Sequence, residues 1–156
     1  MSKFRSRVKT SEDVALTLFN LPLEATLDMG DFAGGMLKYL RRNPLPRVTI
    51  AGGFAKLAKL AQGNLDLHSS RSALDLIRLA DLAGKLGADP ALQDRISGAN
   101  TGAEALSLCL QADVPIAQAV ARHARDVALA SAGATPIDIL IVGRQGEILA
   151  QAGDFA

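Results

Sequence analysis

Apolar residues recur along this chain mostly at helical spacing, interrupted by a few short β-rich runs. Val14, Ala15, Leu18 and Phe19 mark a first helix. Thr10-Ser11-Glu12-Asp13 ahead of it reads as a cap, with acids in the first turn where they favour the helix dipole, and Pro22 closes it. Ala25–Met29 is a short strand candidate. Asp31 to Arg42 reads as a helix opened by a Gly-Asp turn, with Phe32, Met36, Leu37 and Leu40 on its apolar side, and Asn43-Pro44-Leu45-Pro46 breaks it. Arg47-Val48-Thr49-Ile50-Ala51 is β-rich and short, as a buried strand should be. Gly52-Gly53 follows directly, and Phe54, Leu57, Ala58 and Ala61 then predict a helix stopped near Gly63.

Ser72 to Leu86 reads as a helix that is apolar nearly all round, with one narrow polar stripe of Asp75, Arg78, Asp81 and Lys85. Such a pattern predicts a largely buried helix, with Gly87 at its C-terminal end. Pro90–Ile96 and Gly102–Leu110 are shorter helices. Asp113, with Pro115 in the first turn, opens a helix reaching about Ala130. Pro136–Val142 is a strand, Gly143-Arg144-Gln145-Gly146 a turn, and Glu147–Ala150 the hairpin partner. Alternating strands and helices predict an α/β fold: an open, mostly parallel sheet with flanking helices, at least one parallel βαβ unit and a C-terminal β-hairpin.

Size and composition narrow this picture. The 156 residues fit one α/β domain over residues 1–156, with 49% hydrophobic and 21% charged residues, an ordinary globular balance. Aromatics make up 4% and Trp is missing, which argues against stacking platforms for single-stranded nucleic acid. The net charge of +1 gives no global pull toward nucleic acid or an acidic membrane. No apolar stretch approaches the roughly 18 residues needed to span a bilayer. The basic start (Lys3, Arg5, Arg7, Lys9) lacks the apolar run of a secretory signal. Cys109 is the single cysteine, which excludes an internal disulfide framework and fits a reducing cytoplasm. It lies among Leu106, Leu108 and Leu110 and reads as a core residue.

Near-neutrality hides an uneven distribution. Lys38, Arg41, Arg42, Arg47, Lys56 and Lys59 fall in a stretch from Lys38 to Leu65 that contains no acid. This segment is either a set of solvated faces or a local attraction for an anionic ligand.

The strongest local feature is strand, Gly52-Gly53, helix. In open α/β sheets ligands gather at the carboxyl ends of strands, and a helix N-terminus offers free N–H groups to an anion. Lys56 and Lys59 lie in and just past the first turn of that helix. A tight strand-to-helix connection with two solvated lysines explains the same residues. The spacing matches neither GxGxxG nor GxxxxGK[ST], and no acid stands in strand context about 20 residues on, so nucleotide binding ranks last. In Asp66-Leu67-His68-Ser69, adjacency does not aim Ser at His, which disfavours a Ser–His hydrolase. His68 fits better as a general base or ligand hydrogen-bond donor, and Ser69 can equally cap the next helix. His123, on the edge of the stripe Ile116, Val120 and Val127, reads as a structural histidine, and two histidines without nearby cysteines make a weak zinc case.

Taken together, Gly30-Asp31-Phe32-Ala33-Gly34-Gly35-Met36-Leu37, Arg47 to Gly63 and His68-Ser69 closely resemble the C-terminal half of the cobalt-precorrin-5B C1-methyltransferases of cobalamin biosynthesis. That family shows an Asn/Asp-Phe-x-Gly turn opening a helix, then a strand, a glycine loop and helix with two lysines three apart, and a Thr-His-Ser-like element. Asp31-Phe32-Ala33-Gly34, Lys56 and Lys59, and His68-Ser69 match these, and Asn100-Thr101 before Glu104-Ala105-Leu106 is similar to the later Asn-Thr motif. The resemblance runs from about Val14 to the end. Leu67 stands where the family commonly has Thr, and Ala73 where many members have Asp, with Asp75 two further on. The N-terminal half of the longer family members has no counterpart here.

The resemblance implies transfer of a methyl group from S-adenosylmethionine to C1 of a cobalt-corrinoid ring, in the cytoplasm and without a protein-bound metal. It implies catalytic roles for His68 and Ser69. Asp31, Gly34, Gly52 and Gly53 then contact the cofactor, and Lys56, Lys59, Asn100 and Thr101 the anionic tetrapyrrole. A separate N-terminal half or a second copy is the implied partner, with no role for nucleic acid or membrane. The alternative is a non-catalytic binding module for an anionic ligand or a partner protein.

Overall fold

Ile137-Asp138-Ile139-Leu140-Ile141-Val142 is buried at every position, as expected of the middle strand of a sheet. The computed structural model describes residues 33–65 and 73–153. Its three strands, β1 (Val48–Gly52), β2 (Ile137–Val142) and β3 (Ile148–Ala152), lie in the order β1-β2-β3. β1 runs parallel to β2, from Val48 opposite Ile137 to Gly52 opposite Ile141. β3 returns antiparallel, Ile139 facing Ala152 and Ile141 facing Ala150, with an irregularity between Ile141 and Val142.

Among the described residues the helices are α1 (Ala33–Arg42), α2 (Phe54–Ala61), α3 (Leu76–Lys85), α4 (Pro90–Ser97), α5 (Gly102–Gln111) and α6 (Ile116–Ala132). Five of them lie in the connection from β1 to β2. The α/β class, the parallel crossover and the C-terminal hairpin therefore hold. The sheet is smaller and only partly parallel, because the turn Gly143–Gly146 is too short for anything but an antiparallel return. β3 also runs two residues further than the Glu147–Ala150 expected from the alternation.

α6 is the spine of the core. It packs against β2, β3, α1 and α2. Ala117, Ala121, Ala124, Ala128 and Ala132 are buried along it, small enough to let neighbouring backbones close in. Leu37 and Leu40 of α1, Leu57 and Leu60 of α2, and Ile50, Ile137, Ile139 and Ile141 of the sheet share one hydrophobic core with it. Leu140, Val142 and Ala51 form a small second cluster on the other side of the sheet. Thr135 is fully buried just before β2, where its hydroxyl accepts from the Leu45 amide at 3.1 Å and donates to the Leu40 carbonyl at 3.5 Å, joining the α1–β1 loop to β2.

Several boundaries differ from the sequence pattern. α3 begins at Leu76, because Asp75 takes the cap and its carboxylate accepts the amides of Ile77 and Arg78. Nor is α3 largely buried. Leu79, Ala80 and Ala83 face the core while Ile77 is 66% exposed, since α3 packs on one side only, against α4 and α5. Asp113 does not open α6. It adopts φ +56 where α5 closes, with the Val114 amide returning to the Cys109 carbonyl, and α6 starts after Pro115. Asp tolerates that left-handed backbone better than most residues. Cys109 lies in the core as expected, fully buried, and burial pushes its thiol above the ordinary value.

The helix expected at Val14–Phe19, the strand at Ala25–Met29, Asp31, His68 and Ser69 lie outside the described residues. Among the described residues no helix is long and apolar enough to cross a membrane.

Candidate functional site

Parallel pairing puts the carboxyl ends of β1 and β2 at the same edge of the sheet, Gly52 beside Ile141. Gly52 is where strand and helix close together: a Cβ there would stand 2.8 Å from Leu57 Cδ2. Gly53 is the N-cap of α2 with extended backbone, φ −74 and ψ 165, and it supplies no side-chain cap. Nothing lies within 4 Å of a Cβ built on it. The first turn of α2 therefore presents backbone N–H groups and the positive end of the helix dipole at an open face. Lys56 is exposed in that turn and Lys59 is half-buried one turn on.

The chain brings a second helix start to the same place. A Cβ on Gly102, the first residue of α5, would lie 3.2 Å from Ala55 Cβ and 2.9 Å from Leu74 Cδ2. The start of α5, which follows Asn100 and Thr101, thus meets the first turn of α2 at Ala55 although the two are far apart in sequence. The local roles of Asn100 and Thr101 are defined. Thr101 Oγ1 accepts the Glu104 amide at 3.1 Å, and Glu104 Oε2 accepts the Asn100 amide at 2.6 Å. This is a reciprocal cap of the Thr-x-x-Glu type, shifted by one residue on the return bond. The Asn100 side chain stays exposed at the edge of the group.

Gly34 falls elsewhere. Its amide donates to the Leu65 carbonyl at 3.0 Å, and a Cβ on it would meet Leu65 Cβ at 3.0 Å. Leu65 lies four residues past the end of α2, so Gly34 belongs to a contact beyond that helix, away from Gly52, Gly53 and Lys56 at its beginning.

Sequence reasoning missed one concave feature. Where the end of α2 meets α3 and α6 there is a cleft of about 240 Å³. Its walls include Ala58, Leu79 and Val120, and Arg78, Asp81, Lys85 and His123 line it too. The polar stripe of α3 was visible in the sequence, but what faces it was not. His123, expected to be structural, is instead exposed and lines this cleft, because its position on α6 turns toward the groove between α2 and α3. Asp75, from the same polar stripe, uses its carboxylate as the α3 cap.

The family model described as CbiD, C-terminal domain, matches residues 66–153. A cobalt-precorrin-5B C(1)-methyltransferase of Halorhodospira halophila is 49% identical over 147 residues, covering 93% of this chain and 39% of that protein. Proteins of the same name from Brucella abortus and Brucella ovis are each 52% identical over 144 residues, covering 91% of this chain and 39% of theirs. The chain thus spans about two-fifths of the length of the curated relatives it matches. No solved structure matches it. On the family match and these identities, the chain belongs to the CbiD C-terminal domain family.

Proposed function

We propose that this chain is the C-terminal part of an enzyme that methylates C1 of cobalt-precorrin-5B with S-adenosylmethionine as donor, acting in the cytoplasm. The observation that carries the reading is the 49–52% identity across more than nine-tenths of the chain to proteins named for that reaction. Two features of the fold support it. The open N-terminus of α2 and the bare Gly53 fit the carboxylate of an amino-acid-bearing donor. The acid-free stretch holding Lys56 and Lys59 fits a ring that carries several carboxylates.

The bound donor supplies an electrophilic methyl group on a sulfonium; the ring carbon forms the new C–C bond and sulfur keeps the electron pair. This chain's share is to hold and orient the reactants. Gly52 and Gly53, with Asp31, contact the donor, whereas Gly34, closed against Leu65 beyond the other end of α2, serves packing. Lys56, Lys59, Asn100 and Thr101 receive the acid groups of the ring. The catalytic roles fall to His68 and Ser69, with His68 taking or donating a proton. The remaining catalytic groups come from the part of the longer relatives that this chain does not match.

Complementation tests the reading. In a strain lacking the C1-methylation step, this chain co-expressed with the N-terminal part of a relative should restore cobalamin synthesis, whereas the chain alone should not. Failure of the pair, with both polypeptides folded, overturns it. A second reading is a binding module without catalysis, in which the Thr101 hydroxyl serves only as a helix cap. It predicts ligand binding by the chain without methyl transfer by the reconstituted pair.

A further inference from the structure

The cleft at the far end of α2 has the make-up of a carboxylate receptor. Its apolar side includes Ala58, Leu79 and Val120, each almost fully buried. Arg78, Asp81 and Lys85 reach it from α3 at helical spacing, and His123 approaches from α6. The polar side is held in place. The Gln62 side chain clasps Asp75, its Nε2 donating to the Asp75 carbonyl and its Oε1 accepting the Asp75 amide, both at 2.9 Å. Arg78 Nη1 donates to the Gln62 carbonyl at 3.2 Å. This fixes the guanidinium at the mouth and covers a carbonyl at the negative end of α2, while its other N–H groups stay available.

Charge and size specify the ligand. Two cations against Asp81 leave a net single positive charge, which suits one carboxylate rather than a phosphate dianion. A volume of about 240 Å³ lies below the roughly 300–1,000 Å³ of sites that enclose whole ligands. It suits a short alkyl chain ending in an acid. We propose that this cleft binds an alkyl carboxylate, the methylene groups against Leu79 and Val120 and the acid at Arg78, Lys85 and His123. If the source is the ring substrate, an inference resting on the function proposed above, the cleft takes one acid arm while the ring lies toward Gly53. α2 separates the two points by roughly 10 Å at 1.5 Å per residue, a reach that a four-ring macrocycle with outlying acid arms covers. The other source is a free short-chain acid.

Calorimetry on the full chain distinguishes these, with uroporphyrin as the polycarboxylate ring and valerate as the free acid. Lys85→Gln and Arg78→Gln should each weaken whichever probe binds by about tenfold, the scale of one charge-assisted hydrogen bond. Asp81→Asn should tighten binding, an effect that damage to the fold cannot imitate. Uroporphyrin binding with these responses supports the cleft and the ring together. Valerate binding with the same responses and no uroporphyrin binding supports the cleft and counts against the proposed substrate. Uroporphyrin binding that responds to Lys56→Gln but not to Lys85→Gln, Arg78→Gln or Asp81→Asn overturns the cleft and leaves the proposed substrate intact. No binding of either probe overturns the cleft.

Discussion

Cys109 illustrates how much one buried group reports. Burial raises its thiol pKa, so the folded chain holds a proton that the unfolded chain releases at the ordinary thiol value. The native state then binds more protons than the unfolded state once pH exceeds that ordinary value, and stability must fall as pH rises through this window. Urea melts from pH 7 to pH 10 should show the fall, and Cys109→Ala should remove the thiol's share of it. At neutral pH the folded chain should react with a thiol reagent far more slowly than the same chain in urea.

Asn100-Thr101 poses the question of site or scaffold at the level of an element. Thr101→Ala removes the hydroxyl that caps α5 and should cost about 1 kcal/mol of stability, read by chemical denaturation, while Thr101→Ser keeps the cap. A ligand role beyond the cap would show as weakened uroporphyrin binding in Thr101→Ser at unchanged stability. Gly102 is a sharper structural test. Its missing Cβ is what lets α5 approach Ala55 of α2 and Leu74. Gly102→Ala must displace the Leu74 side chain and press on Ala55 by a few tenths of an ångström, and should cost about 1 kcal/mol in the same melts, the low end of the range for overpacking. A stabilised variant would show that the two helix starts are not in the contact described.

For the molecule as a whole, a net charge of +1 means that attraction for an anion must come from local placement rather than from the total. Charge reversal of Lys56 and Lys59 to Glu should therefore weaken uroporphyrin binding by more than tenfold, read on protein whose circular dichroism shows it folded. The wild-type affinity should drop as NaCl rises from 50 to 300 mM. Equal binding by the reversed variant would place the ring elsewhere. Among the described residues α6 packs against α1, α2 and the sheet in one core, whereas the proposed chemistry draws also on groups beyond the matched region.

What the sequence determined by itself is whatever local chemistry enforces. Pro44 and Pro46 end α1, since proline cannot continue a helix and restricts the residue before it. Gly52-Gly53 separates β1 from α2, and the Gly143–Gly146 turn makes a hairpin of β2 and β3. The motif run around Lys56, Lys59 and Asn100-Thr101 was also legible, because those spacings are local. Competition between neighbouring residues was not. Asp75 captures the α3 cap, and Asp113 closes α5 rather than opening α6, because each lowers the energy of backbone groups that only the folded chain leaves unsatisfied. Only tertiary structure could bring Gly102 onto Ala55 or turn His123 and Lys85 into one cleft. Such contacts join residues distant in the chain, and periodicity tells which face of a helix is apolar but not which helix it meets.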